Sequence, residues 1–127
     1  MNTFEFAKEF LADKQYLILD ENVEDGHIAF RYQMNTIHLW AHNDDENFCM
    51  IVLSGFAEVD HDNIGEVEKK CYQVTKDAKL VKLYLLHDIV LATAELYYYA
   101  QEDFNFQIEN ALKHIVKAKV MYKQLDE

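Results

Sequence analysis

The chain has 127 residues, half of them apolar, and a formal net charge of −11. This length is typical of one hydrophobic core, so we expect a single domain spanning residues 1–127 and no intrinsic disorder. No apolar run approaches the roughly 20 residues of a membrane helix, and the N-terminus lacks the cationic start of a signal peptide. We therefore expect a cytoplasmic protein without a membrane partner.

The acidic residues are concentrated in the first half of the chain. Residues 1–63 carry 13 acidic and three basic side chains, a net charge of −10, whereas residues 64–127 have a net charge of −1. Nucleic acids and anionic membranes both need clustered cations, so this half argues against either as the main partner. It would suit a basic segment of a partner protein, although surface acids also serve simply to keep a domain soluble.

The first predicted element is a short amphipathic helix from Thr3 to about Lys14. Asn2 and Glu5 have the spacing of a capping box at its start. Its apolar positions recur on one helical face: Phe6, Ala7, Phe10 and Leu11.

Four strands are predicted next, at residues 16–21, 27–32, 36–42 and 48–53. Alternation of apolar and polar residues marks the second and third strands, and the residues Glu24-Asp25-Gly26 indicate a turn between the first two. The fourth strand is apolar at every position, so we expect it to be central and covered on both faces. Together these strands should form an antiparallel meander.

The second half predicts a helix, two strands and a long C-terminal helix. Asp60, Asp62 and Asn63 compete as N-caps of the first of these helices. The strands, at residues 80–86 and 89–98, meet at a tight turn. The final helix begins near Asp103. The resulting order is αββββαββα, an α+β fold with an antiparallel sheet.

Three sequence features resemble the YbjN family: the acidic turn with its following aromatic (residues 44–48), the strand Lys82-Leu83-Tyr84-Leu85, and the closing helix that starts at Asp103-Phe104. The resemblance spans essentially the whole chain, and that family is similar in fold to the type III secretion chaperones. It implies a non-enzymatic role, dimerisation, and the holding of extended partner segments against the protein. It implies no catalytic residue, and we predict no cofactor.

The residues themselves suggest little catalytic chemistry. His61–Asp62 and His87–Asp88 fit turns better than general-base pairs, and a nucleophile elbow and a glycine-rich phosphate loop are both missing from the sequence. We therefore predict that the protein is not an enzyme. Cys49 and Cys71 lie within apolar patterns, so we expect two buried thiols and a reducing compartment.

The best candidate for metal chemistry is the segment that contains His38, His42, Asp44 and Asp45. Residues four apart on a strand lie about 13 Å from each other, too far to share one metal, so ligands from neighbouring strands would be needed. We predict no metal. A small-ligand or metal-binding domain, possibly enzymatic, that uses the His38/His42/Asp44 region remains the alternative function.

The most suggestive sequence feature is the second face of the sheet. It should receive five large side chains within a polar frame of Lys82, Thr93 and Glu95. The five are the predicted partner-interface residues Trp40, Tyr84, Leu86, Leu91 and Tyr97. Aromatics in a polar frame are typical of protein interfaces, so we predict a protein-interaction module, chaperone-like or a regulatory adaptor, that acts as a homodimer and binds a partner segment. The alternative is that a helix of the same chain covers this face.

Overall fold

The computed structural model describes residues 2–41 and 47–125. The predicted order of elements, αββββαββα, is confirmed. The helices are α1 (Thr3–Lys14), α2 (Ile64–Asp77) and α3 (Gln101–Gln124). The strands are β1 (Ile18–Asn22), β2 (His27–Tyr32), β3 (Asn35–Trp40), β4 (Phe48–Ser54), β5 (Lys82–Leu86) and β6 (Ile89–Tyr97).

The six strands form one antiparallel sheet in the order β1-β2-β3-β4-β6-β5. The first four strands make the predicted meander. After β4 the chain crosses through α2 to the far edge, and the β5–β6 hairpin then brings β6 back beside β4. The sheet therefore has β1 and β5 as its edges and β4 near its centre.

The core lies between one face of this sheet and the three helices. Alternate strand residues such as Ile37, Ile51 and Ala92 are buried together with Leu11 of α1 and Ile115 of α3. Fully burying a side chain such as leucine or isoleucine contributes about 1.5–3 kcal/mol, so this single layer of contacts is the main source of stability. All three helices cover the same face.

The predicted capping box at α1 is present. The Asn2 side chain accepts a hydrogen bond from the Glu5 backbone N–H at 2.9 Å, and the Glu5 carboxylate accepts one from the Asn2 N–H at 3.3 Å. Two of the backbone donors that a helix start leaves unpaired are thereby satisfied.

Several predicted boundaries differ from the observed ones. β5 begins at Lys82 and not at residue 80, because Leu80 has a φ of +70°, which takes the backbone out of the extended region. β1 begins at Ile18, since Tyr16 instead stacks its ring near Phe30 and Tyr32. β3 ends at Trp40, and the predicted last residue of that strand, His42, lies outside the described residues.

α3 starts two residues before the predicted position. Asp103 is already inside the helix, and its carboxylate accepts hydrogen bonds from the Tyr99 N–H at 2.8 Å and the Gln107 side chain at 3.0 Å. These two bonds lower the pKa of Asp103. Asp103 does mark the start of the helix, as predicted, because its carboxylate stabilises the helix from within the first turn.

The expectation for β4 was only half correct. The strand is central, between β3 and β6, but its residues alternate between buried and half-buried. Cys49, Ile51 and Leu53 face the helices, whereas Phe48, Met50 and Val52 face the other side, which no helix covers in the part of the chain described.

Candidate functional site: the open face of the sheet

The face of the sheet opposite the helices, which we call the open face, is the most distinctive surface of the protein. Strand pairing sets its membership, since cross-strand partners lie on the same face. One row joins His27, Trp40, Met50 and Glu95, and a second joins Ala29, His38, Val52, Thr93 and Lys82. Further pairs on this face are Phe48–Tyr97, Leu91–Tyr84 and Ile89–Leu86.

All five predicted interface residues lie on the open face. Tyr84, Leu86 and Tyr97 are 38%, 51% and 60% exposed, and Trp40 and Leu91 are half-buried by their neighbours on the sheet. The alternative that one of the helices covers them is wrong for the described residues, because the buried side chains of α1, α2 and α3 join the core on the other side. The face thus presents aromatic and aliphatic groups outward.

Aromatic packing within the face is direct. The rings of Phe48 and Tyr97 lie with centroids 5.1 Å apart across the β4–β6 pair. The ring centroids of Trp40 and of His27, on the neighbouring strand, are 4.3 Å apart, and the ring planes differ by 35°. These contacts hold large rings at fixed positions, which lowers the entropy cost of docking a partner on them.

His27 adds a group that the sequence analysis did not place on this surface. Its Nε2 lies 2.9 Å from Nδ1 of His38, a hydrogen bond between adjacent strands. The two residues are diagonal neighbours, since His27 pairs with Trp40 and His38 pairs with Ala29. Burial lowers the pKa of His38, and the charge of His27 lowers it further. The register of β2 against β3, which the sequence pattern does not give, is needed to place His27 beside His38.

The predicted polar frame is present at the β5–β6 side. Lys82 Nζ lies 3.8 Å from a carboxylate oxygen of Glu95. Thr93 lies on the same face and is only 2% exposed, and its buried hydroxyl has no hydrogen-bond partner among the described residues. A neutralised ion pair and a hydroxyl therefore border the apolar side chains.

The two edges of the sheet differ. At β5, the Thr75 hydroxyl of α2 accepts a hydrogen bond from the Leu83 N–H at 2.8 Å and lies 3.2 Å from the Leu83 carbonyl oxygen, to which it donates. A helix side chain thus occupies the backbone groups through which another strand would pair. At β1, the exposed residues Asp20, Glu21 and Asn22 give the edge an acidic character.

The metal alternative gains no support from the described residues. His42, Asp44 and Asp45 lie outside them, and the described parts hold no group of three or more His, Cys, Asp or Glu side chains suited to a metal. The His27–His38 pair supplies two nitrogen atoms, fewer than the three protein ligands of a usual zinc site.

Two surface cavities lie elsewhere, between α2 and α3. One of about 130 Å³ is lined by Asp77, Lys79, His114 and Lys117, among others. The other, of about 400 Å³, lies beside Tyr122 and the start of α2. Neither includes the open face or His38, so the predicted ligand region and the cavities do not coincide.

Both cysteines are buried, as expected. Cys49 is fully enclosed in β4 and Cys71 lies in the buried stripe of α2. Burial raises the pKa of both thiols, and the nearby Glu68 carboxylate raises that of Cys71 further. Among the described helices, none is long and apolar enough to cross a membrane.

Comparison with known proteins identifies the fold. No protein-family profile and no curated protein sequence matches the chain. Its structure is similar to that of YbjN from E. coli, a candidate transcription regulator, with a TM-score of 0.72, 10% identity and coverage of 99% of this chain and 97% of the other. An uncharacterised protein from Methanothermobacter thermautotrophicus matches with a TM-score of 0.63 at 15% identity, over 94% of this chain and 96% of the other.

The type III secretion chaperone SycH from Yersinia pestis, solved in complex with a stable fragment of YscM2, matches with a TM-score of 0.64 at 17% identity, over 94% of this chain and 99% of the other. The protein therefore has the α+β fold that is shared by YbjN and the type III secretion chaperones. The sequence-based prediction of a YbjN-like fold is confirmed, and identities this low show the fold alone.

Proposed function

We propose that the protein is a non-enzymatic protein-interaction module, a chaperone-like or regulatory adaptor, that forms a homodimer through the open face and binds a segment of a partner protein. One observation carries this proposal: in the described structure, the open face of the sheet has no covering layer, although many of its side chains are aromatic or aliphatic.

A sheet is stable when each apolar face packs against another layer. Antiparallel sheets that leave one face in water usually place polar residues there. In this protein three of the four water-facing positions of β4 are apolar, Phe48, Met50 and Val52, and the fourth is Ser54. Those of the β5–β6 hairpin include Tyr84 and Leu91. We expect a second molecule to supply the missing layer.

A second copy of the chain suits this surface in size and charge. Six strands of this length make a flat footprint of about 500 Å², which with projecting rings approaches the roughly 800 Å² per partner of a standard interface. Two copies, each with a net charge of −11, repel each other at long range. The open face is where they can meet, since its centre is apolar and Lys82 there neutralises Glu95.

The partner segment is supported by the shared fold and by charge. SycH, which has the same fold, was solved with a protein fragment bound. In the present protein, exposed acids on α1, on β1 and in the turn after β1, such as Glu9, Asp13, Asp20 and Glu24, offer attraction to a basic segment. The same charge disfavours nucleic acid as a partner.

Two pairs of polar side chains on the open face already bind each other, which supports a binding role over catalysis. His27 and His38 bind each other, and Lys82 pairs with Glu95. Two free thiols that are both buried fit a reducing compartment, which supports a cytoplasmic location for the module.

Light scattering of wild type beside Leu91→Asp tests the proposal. A carboxylate at residue 91 would be buried without a partner in the dimer, at a cost of roughly 3–5 kcal/mol, while it stays hydrated in the monomer. We expect a wild-type dimer and a folded monomeric variant. The matched control is Tyr72→Asp, because Tyr72 is 71% exposed on α2, away from the open face, and this variant should remain a dimer.

A wild-type protein that is monomeric at high concentration would contradict the homodimer. A Leu91→Asp variant that stays dimeric while folded would move the interface to another surface. Circular dichroism of both variants establishes that they are folded.

A further inference from the structure

The His27–His38 hydrogen bond has a geometry that depends on the number of protons it holds. Nε2 of His27 and Nδ1 of His38 are 2.9 Å apart, whereas the ring centroids are 5.1 Å apart and the planes differ by 15°. With the two nitrogens this close, the centroids can be so far apart only if both nitrogens lie near the line that joins the centroids. The rings therefore meet end to end, nearly in one plane. One ring donates an N–H and the other accepts it with a lone pair.

The number of protons on the two rings determines whether this hydrogen bond can form. In the neutral pair either ring can donate, and one added proton leaves an N–H opposite a lone pair. A second added proton puts an N–H on both facing nitrogens, which removes the acceptor and places two positive charges side by side. The bond therefore exists only while the pair carries no more than one positive charge.

The surroundings of the pair are mainly apolar. Its nearest cross-strand neighbours are Asn22, Ala29, Trp40 and Val52, and no helix packs on it within the described structure. Four charged groups share the face: Asp20 of β1, Arg31 of β2, Glu95 of β6 and Lys82 of β5. Asp20 is a diagonal neighbour of His27, and Arg31 is a diagonal neighbour of His38, each at about 7–8 Å on the adjacent strand. Glu95 lies three strands from His27.

We infer that docking of a second copy on the open face is controlled by protons: the face binds its partner while the pair carries at most one charge, and uptake of the second proton releases the partner. This inference rests on the homodimer proposed above. A docked copy would remove water from the pair, which makes a second positive charge there still less favourable.

The sign of the pH dependence follows from proton linkage. Burial and the charge of His27 already lower the pKa of His38 below the ordinary value of 6.5, and docking would lower it further. The dimer then binds fewer protons than two separate monomers, so its affinity is full at neutral pH and falls as the pH drops toward the lowered pKa of His38 in the monomer.

The experiment is sedimentation equilibrium at pH 7.5 and pH 5.5 and constant ionic strength. We expect the dimer dissociation constant to be about tenfold higher at pH 5.5, because the separate monomers take up protons that the dimer excludes. In the double variant His27→Gln/His38→Gln the constants at the two pH values should agree within about threefold. The control His61→Gln changes an exposed histidine outside the sheet and should keep the wild-type dependence.

A variant-independent measurement is the heat of dilution of the wild-type protein at pH 6 in two buffers with different ionisation enthalpies. We expect proton uptake when the dimer dissociates, and no uptake would overturn the inference even if the double variant failed to dimerise. A dimer with equal affinity at both pH values, or a double variant with the wild-type pH dependence, would also overturn it. These results leave the homodimer intact, whereas a monomer at every pH contradicts the homodimer and with it this inference.

Discussion

Gly26, in the turn between β1 and β2, shows how strongly one residue can constrain this fold. Its φ is +67°, and an added Cβ would overlap the Ala41 carbonyl, while its own carbonyl accepts the Ala41 N–H at 2.7 Å. We expect Gly26→Ala to lower the free energy of unfolding by more than about 2 kcal/mol, measured by urea denaturation.

Gly65 is the matched control for this substitution. It lies in the first turn of α2, and a Cβ there would meet no atom within 4 Å. Gly65→Ala should leave stability unchanged or raise it by up to about 1 kcal/mol, because alanine is the better helix former. Equal losses at both positions would show that the backbone argument for Gly26 is wrong.

The two buried thiols give a prediction about reactivity. Burial raises the pKa of Cys49 and Cys71, so at pH 8 the folded protein has less thiolate than an unfolded chain. With Ellman's reagent we expect both thiols to react at least about 100-fold more slowly in buffer than in guanidinium, since most reaction requires opening of the structure. Fast modification of one thiol under native conditions would contradict its burial.

Single residues also show what the sequence could predict about the candidate site. The period of two fixes which side chains of one strand share a face, so Trp40, Tyr84 and Tyr97 were assigned correctly. The period does not fix how β2 slides along β3. The His27–Trp40 contact follows from that register, so the sequence did not predict the imidazole pair.

Among the elements, edge strand β5 depends on α2 for its protection. The Thr75 hydroxyl binds both backbone groups of Leu83. We expect Thr75→Val, which keeps the shape but leaves these groups unpaired, to cost about 1–3 kcal/mol in urea unfolding. Thr75→Ser keeps the hydroxyl and should retain most of the stability, and a similar loss in both variants would rule out the hydrogen bonds as the cause.

The type and order of every element could be predicted because periodicity and turn residues agree along the chain. Boundaries were less certain where several side chains compete. Three residues before α2 are candidate N-caps, and the structure has Asn63 at that position. The Asp60 side chain instead accepts hydrogen bonds from the backbone N–H groups of Asp62 and Asn63. Burial of β4 on both faces was predicted wrongly, because apolar residues at every position fit both a covered strand and one that faces a partner.

At the scale of the whole molecule, the proposed function depends on which face of the sheet the helices cover. All three helices pack on one face of the sheet, and the other face carries Trp40, Leu91 and Tyr97 without a cover in the described structure. Sequence alone could not settle this, since hydrophobic pattern shows that a face is apolar but does not show what covers it. The central claim is that a second copy covers the open face.

Fluorescence of Trp40 tests that claim most directly, because it is the one tryptophan in the chain and lies on the open face. Acrylamide quenching and the emission maximum should be measured across a dilution series at pH 7.5, in parallel with the molar mass. We predict that the emission shifts to longer wavelength and that quenching increases over the same concentrations at which the dimer becomes a monomer. A change in mass without any change in Trp40 quenching would contradict the account, because the dimer would then use a different surface.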